Sequence, residues 1–174
     1  QPGFVDAFSQ NFAISPNETA LIVIDMQNAT GNPEMGLGKL LAERGEAEGA
    51  AYRFNRINQL LIPNIQKLLE GFRELGSEVI YITYGANAPD ASDAPAHMAP
   101  IIRATNNIAG QKEHEIVAPL QPQPGELILN KTTQGAFCST GLDTTLRAKG
   151  IKTVVTVGVS TNNCVAMTSM EACD

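Results

Sequence analysis

Three side chains of complementary chemistry each follow an apolar run in this sequence. Asp25 follows ALIVI (20–24), Lys131 follows ELILN (126–130), and Cys164 follows TVVTV (153–157) after a short connection from Gly158 to Asn163. A cysteine attacks a carbonyl as its thiolate; a nearby ammonium favours that anion, and a carboxylate can accept and relay the thiol proton. If the chain re-enters a helix near Asn163, the partial positive charge of the helix start favours the thiolate as well. The pattern therefore predicts a lowered thiol pKa for three separate reasons. Each residue also has a plain structural use: an isolated cysteine as a small buried hydrophobe, an aspartate ending a strand as a turn former, a lone lysine as a solvated charge.

What must position these groups is a sheet. ALIVI (20–24), EVIYIT (78–83), ELILN (126–130) and TVVTV (153–157) are β-branched or aromatic-rich and bounded by turn formers. They are nearly continuous apolar runs, as expected of parallel strands covered on both faces. Between the first two, Ile57, Leu60, Leu61, Ile65, Leu68, Leu69, Phe72 and Leu75 recur at helical spacing up to Gly76, with Pro63 placed to kink the helix. Thr140 and Asp143 have capping-box spacing ahead of a second helix that Gly150 ends. Strand and helix alternate, which predicts one doubly wound, mostly parallel three-layer α/β/α domain over residues 1–174. In such sheets ligands bind beyond the carboxyl ends of the strands, where Asp25, Lys131 and Cys164 fall. The Ala/Pro/Asp-rich segment 85–100 reads as a long surface loop, serving either as a lid or as a solvated connector or oligomer contact.

Composition excludes several partners. The net charge of −6 and the absence of a basic stripe argue against nucleic acid and anionic membranes. No apolar run approaches the roughly 18 residues of a membrane span, and the N-terminal segment lacks a basic region followed by an apolar one, so a soluble cytoplasmic protein is expected. Cys138, Cys164 and Cys173 show no metal spacing and are read as reduced thiols, with Cys138 and Cys173 structural. The two histidines, His97 and His114, lie in polar or Pro-rich segments and read as solvated side chains. No metal and no cofactor are expected.

Two stretches carry a resemblance to a known family: ALIVIDMQN (20–28) and LNKTTQGAFCSTGLDTTLRAKGIKTVVTVGVSTNNCV (129–165). With the order Asp, Lys, Cys, they make the chain resemble the isochorismatase-like cysteine hydrolases, on their amidohydrolase branch. The resemblance implies Cys164 as nucleophile, Asp25 as general base and later acid, and Lys131 as the cation holding both. It further implies a cis peptide at Val159–Ser160 and an oxyanion hole formed by the N–H groups of Ser160 and Cys164. The implied reaction is hydrolysis of a carbon–nitrogen bond in a small amide, carbamoyl or ureido compound, with water as co-substrate and a thioester on the way. Gln27, Asn28 and Asn162 are candidate hydrogen-bonding residues for the substrate, although each has the side chain of a cap or turn residue. Vinyl-ether hydrolysis of the isochorismatase type and a non-catalytic binding or assembly module are the alternatives, and Cys164 argues against the first.

The chain also departs from the family pattern. The Asp-x-His pair of nicotinamidase-like members is missing, which agrees with the expectation of no metal. A long insertion at 29–55 adjoins the expected pocket, so its apolar floor must come from residues other than the family's usual Phe. Gly135 stands where Ser is common, a change expected to affect packing. The C-terminal strand and helix of the family are expected to be lacking beyond Asp174. A homo-oligomer is the default expectation for association.

Overall fold

The computed structural model describes residues 13–173. The reading of the N-terminal segment as free of a leader falls largely on residues 1–12, and the reading of the chain's end falls on residue 174; both lie outside the described residues. All four predicted strands form: β1 (Thr19–Ile24), β2 (Glu78–Tyr84), β3 (Leu127–Lys131) and β4 (Thr153–Gly158). They make a parallel sheet in the order β3-β2-β1-β4.

The helices are α1 (Asn28–Gly31), α2 (Gly36–Glu43), α3 (Ala47–Arg56), α4 (Ile62–Glu74), α5 (Ala99–Ala104), α6 (Leu142–Ala148) and α7 (Ala166–Cys173). All six residues of β1 are buried, as its continuous apolar run requires. Its alternate side chains serve two separate cores. Leu21 and Val23 pack with Phe54, Ile65, Leu69 and Tyr81 under α3 and α4. Ala20, Ile22 and Ile24 pack with Ile80, Ile82, Leu142 and Cys164 on the opposite face. Full burial of each Leu or Ile contributes about 1.5–3 kcal/mol, so both layers are strongly specified by the two-residue period.

Two local expectations are corrected. The crossover helix starts at Ala47 rather than Ile57, and α3 joins α4 through a wide π-helical turn at Ile57–Leu61. That turn immediately precedes Pro63, whose ring cannot sit in an unbroken helical ladder, so the irregularity is absorbed there. The capping box at Thr140 and Asp143 does not form: Gly141 is the N-cap and Thr140 Oγ1 accepts from Leu142 N. Asp143 instead pairs with Arg147 one turn along at 2.8 Å. Segment 85–100 is part packed and part exposed. It closes on a small core of Ala86, Ala91, Met98 and Ala99 with Ile102, and the Asp93 carboxylate accepts from Asn87 N and Ala88 N.

Candidate active site

The strand ends bring the reactive groups together. Asp25 leaves β1 with φ 54°, a left-handed conformation tolerated because its backbone is tied on both sides. Its N–H donates to Ile82 O at 2.9 Å, and the Thr30 hydroxyl donates to its carbonyl. The carboxylate points inward, 2% exposed, and Lys131, 0% exposed, donates to Asp25 Oδ2 at 3.0 Å. Lys131 Nζ also donates to Thr133 O at 3.1 Å and lies 4.7 Å from the centroid of the Tyr84 ring. Asp25 Oδ1 has no hydrogen-bond partner among the described residues.

The loop after β4 delivers Cys164. Gly158 adopts φ +129°, and a Cβ there would come within 2.0 Å of Ile24 O, so the close approach of β4 to the end of β1 demands glycine. The Val159–Ser160 peptide is cis. Ser160 O then accepts from Asn163 N and Val165 N at 3.0 and 3.3 Å, starting the helical turn Thr161–Val165 that runs into α7. Cys164 sits in that turn, buried, beside the Asp25 carboxylate.

The electrostatics correct one expectation. Burial pushes the Cys164 thiol up to about 12 and the neighbouring Asp25 charge pushes the same way, while Lys131 opposes them. The sequence suggested a lowered value because it places a cation nearby without revealing how deeply the thiol is enclosed. Burial also raises Asp25 above the usual carboxylate range, against the pull of Lys131. The resting cysteine is therefore a thiol, and the adjacent carboxylate is a stronger base than an exposed one.

Asp25, Ser160 and Cys164 line a cavity of about 280 Å³, with Lys131 behind Asp25. Ala29 and Leu37 of the insertion, Met98, Ile101 and Val159 contribute its apolar surface. Among the described residues no cluster of His, Cys, Asp and Glu is arranged to hold a metal ion.

Over residues 19–174 the sequence matches the isochorismatase domain family. The chain belongs to the isochorismatase family. Its relatives place it on the amidohydrolase side of that family. It is 32% identical over 173 residues to the ureidoacrylate amidohydrolase RutB of Agrobacterium fabrum, covering 91% of this chain and 71% of that protein. It is 36% identical over 169 residues to the same enzyme of Caulobacter segnis, covering 89% of this chain and 66% of that protein. The chain thus spans about two thirds of the length of these relatives. Among solved structures, a cysteine hydrolase from Pseudomonas syringae superposes with TM-score 0.73 at 27% identity, over 94% of this chain and 69% of that one. An N-carbamoylsarcosine amidase from Thermoplasma acidophilum gives TM-score 0.66 at 25% identity, over 89% and 75% of the two chains.

Within this isochorismatase-family scaffold none of the three predicted substrate contacts lines that cavity. Gln27 is 0% exposed and its amide is consumed by the protein: Oε1 accepts from Tyr84 N, and Nε2 donates to Tyr84 O and His114 O. Asn28 donates to Lys112 O at 2.9 Å and borders a separate depression with Lys112 and Glu115. Asn162 faces another depression beside Tyr52 and Arg56. Two further readings change as well. His114 is half-buried, its Nδ1 3.0 Å from Asn107 Oδ1, and burial lowers its pKa. Cys138 and Cys173 are exposed rather than packed, and Cys138 Sγ donates to Glu171 Oε1 at 2.8 Å. A Cβ at Gly135 would lie 2.1 Å from the same carboxylate, so a side chain there would have to displace the Glu171 head group.

Sequence reasoning missed Arg53, Tyr84, His97 and Asn107, all of which line the cavity. Tyr84 was within reach, being the residue that directly follows the run EVIYIT at the carboxyl end of β2. Arg53 and Asn107 carry no comparable signal, because a polar residue in an amphipathic helix or a TNN turn is ordinary.

Proposed function

We propose that this protein hydrolyses a carbon–nitrogen bond of a small amide or ureido compound by attack of Cys164 on its carbonyl carbon. One observation carries the reading: Lys131 occupies one oxygen of Asp25 and leaves the other, Oδ1, unpartnered beside a buried thiol that lines a cavity of small-molecule size. A thiol so strongly protonated cannot act as a standing thiolate at neutral pH, so its proton must leave as the new bond forms. Asp25 Oδ1, in its ionised form, is the base placed to take it.

As Cys164 Sγ bonds to the carbonyl carbon, the carbonyl oxygen becomes an oxyanion, for which the N–H groups of Ser160 and Cys164 are the donors; such a donor is typically worth about 10²–10³ in rate. Collapse expels the amine or ammonia, which takes the proton held by Asp25, and leaves a thioester. Water then attacks the thioester carbon, gives its proton to Asp25 and releases the acid, and that proton returns to Cys164. The names of the relatives support an acyclic ureido or carbamoyl substrate.

The test is release of ammonia or amine by the purified protein from ureidoacrylate, N-carbamoylsarcosine, simple amides and nicotinamide, beside a Cys164→Ala control. Release from the ureido and carbamoyl compounds, lost in the control, is expected. Product formation that survives in the control would overturn the proposal.

A further inference from the structure

Three buried side-chain atoms lack a hydrogen-bond partner among the described residues: Asp25 Oδ1, Arg53 Nε and Asn107 Nδ2. All three residues line the same cavity. Buried polar atoms are almost always satisfied, so this coincidence marks the cavity as built around a polar ligand. Asp25 Oδ1 is accounted for by the thiol proton. The other two atoms are donors with no role in the bond-breaking chemistry.

Arg53 is the one arginine or lysine among the residues lining the cavity. It stands on α3, where its neighbour Phe54 is anchored in the core, and Nη1 donates to Ser160 Oγ at 3.0 Å while Nη2 donates to Thr30 O at 3.3 Å. Both acceptors are neutral. Among the described residues Arg53 takes part in no ion pair, although the guanidinium is half-buried and Nε fully so. A desolvated arginine without a carboxylate is incomplete, and the ligand chemistry that completes it is an anion with two oxygens in a plane.

The orientation of Asn107 follows from a chain of fixed donors. Tyr84 N can only donate, so Gln27 turns Oε1 toward it at 2.8 Å, and Gln27 Nε2 faces the carbonyls of Tyr84 and His114. The atom of Asn107 that lies 3.2 Å from Nε2 has to be an acceptor, Oδ1, and His114 Nδ1 lies 3.0 Å from the same oxygen. Asn107, 1% exposed, lines the cavity, and Nδ2 is the side-chain atom it has left without a partner among the described residues. Gln27 and His114 are thus positioning residues for a donor that meets the ligand.

We infer that Arg53 and Asn107 select the substrate, restricting the cavity to amide or ureido compounds that carry a carboxylate: Arg53 pairs with that carboxylate and Asn107 donates to an acceptor oxygen. This rests on the hydrolytic reading for the identity of the scissile group but not for the binding itself. It is therefore tested in a protein that cannot turn over. Cys164→Ala protein is titrated calorimetrically with N-carbamoyl-β-alanine and with its uncharged primary amide.

The acid should bind at least about tenfold more tightly than the amide, and Arg53→Gln should remove that gap by weakening the acid about ten- to a hundred-fold. Arg53→Lys, which keeps the charge and loses the fork, should retain a reduced preference. Asn107→Asp still accepts from Gln27 but offers no donor, and should weaken both ligands. Equal affinity for acid and amide in the parent protein overturns the inference, as does an equal loss on both ligands in the two Arg53 variants, which would make Arg53 a strut for Ser160. If the acid is preferred yet the protein with Cys164 intact releases no product from any ureido acid, the hydrolytic reading fails and the anion site stands.

Discussion

Lys131 Nζ and Asp25 Oδ2 form a 3.0 Å ion pair with both side chains out of reach of solvent. Among the described residues neither charge has another full counter-charge, so removing one leaves the other buried and uncompensated. Lys131→Met should destabilise the fold by about 3–5 kcal/mol, whereas the double change with Asp25→Asn should recover much of that loss. Urea denaturation of the two variants checks this; equal loss in both would mean the pair is not coupled. Neither variant should turn over substrate.

The thiol near 12 makes a prediction opposite to the usual low-pKa catalytic cysteine. The rate of Cys164 alkylation by iodoacetamide, counted at that residue by mass spectrometry, should keep rising with pH to at least about pH 10 without a plateau. A plateau near neutrality would refute the buried-thiol reading. Because the Asp25 charge helps hold the thiol protonated, Asp25→Asn should raise alkylation at a fixed pH while abolishing turnover.

On the proposed mechanism the same pair sets the acid limb of activity. Asp25 must be deprotonated to act as a base, and its pKa is raised from 3.8 by burial. Activity should therefore be lost as pH falls through a value above 3.8, with full activity on the alkaline side of it. A kcat/KM profile still flat at pH 3.8 would contradict the burial of that carboxylate.

Gly158→Ala tests the packing that brings β4 against the end of β1. The new Cβ would lie 2.0 Å from Ile24 O at φ +129°, so the strand ends would have to part. A loss of more than about 2 kcal/mol in denaturation is expected.

Gln27 was a candidate substrate contact and sits instead in a saturated network. Gln27→Leu would strand Tyr84 N and leave the carbonyls of Tyr84 and His114 without donors, costing about 1–3 kcal/mol for each group left unsatisfied. The thermal midpoint should fall clearly. A variant of unchanged stability and raised KM would return Gln27 to the list of substrate contacts.

The sequence makes some of this legible and hides the rest for physical reasons. Strands covered on both faces write themselves as continuous apolar runs, so Asp25, Lys131 and Cys164 are visible as the first reactive residues past three of them. The sign of the thiol shift is not visible, because it depends on an enclosure assembled from distant segments. Arg53 and Asn107 are equally hidden: what distinguishes them is the missing partner, and a missing partner is a property of three-dimensional surroundings. Gln27 misleads for the converse reason, since its amide looks free in the sequence and is consumed by β2 and the loop around His114.

The alternation along β1 has a consequence for how such a protein can diverge. Phe54, next to Arg53 on α3, is rooted in the layer beneath Leu21 and Val23, whereas Cys164 is rooted in the layer beneath Ala20, Ile22 and Ile24. On the proposed roles, the group that recognises and the group that reacts are thus footed on opposite sides of one strand. Substitutions accumulating along α3 can retune which molecules are admitted while the nucleophile's own foundation goes undisturbed, so an ancestral reaction can be inherited intact by descendants of differing diet.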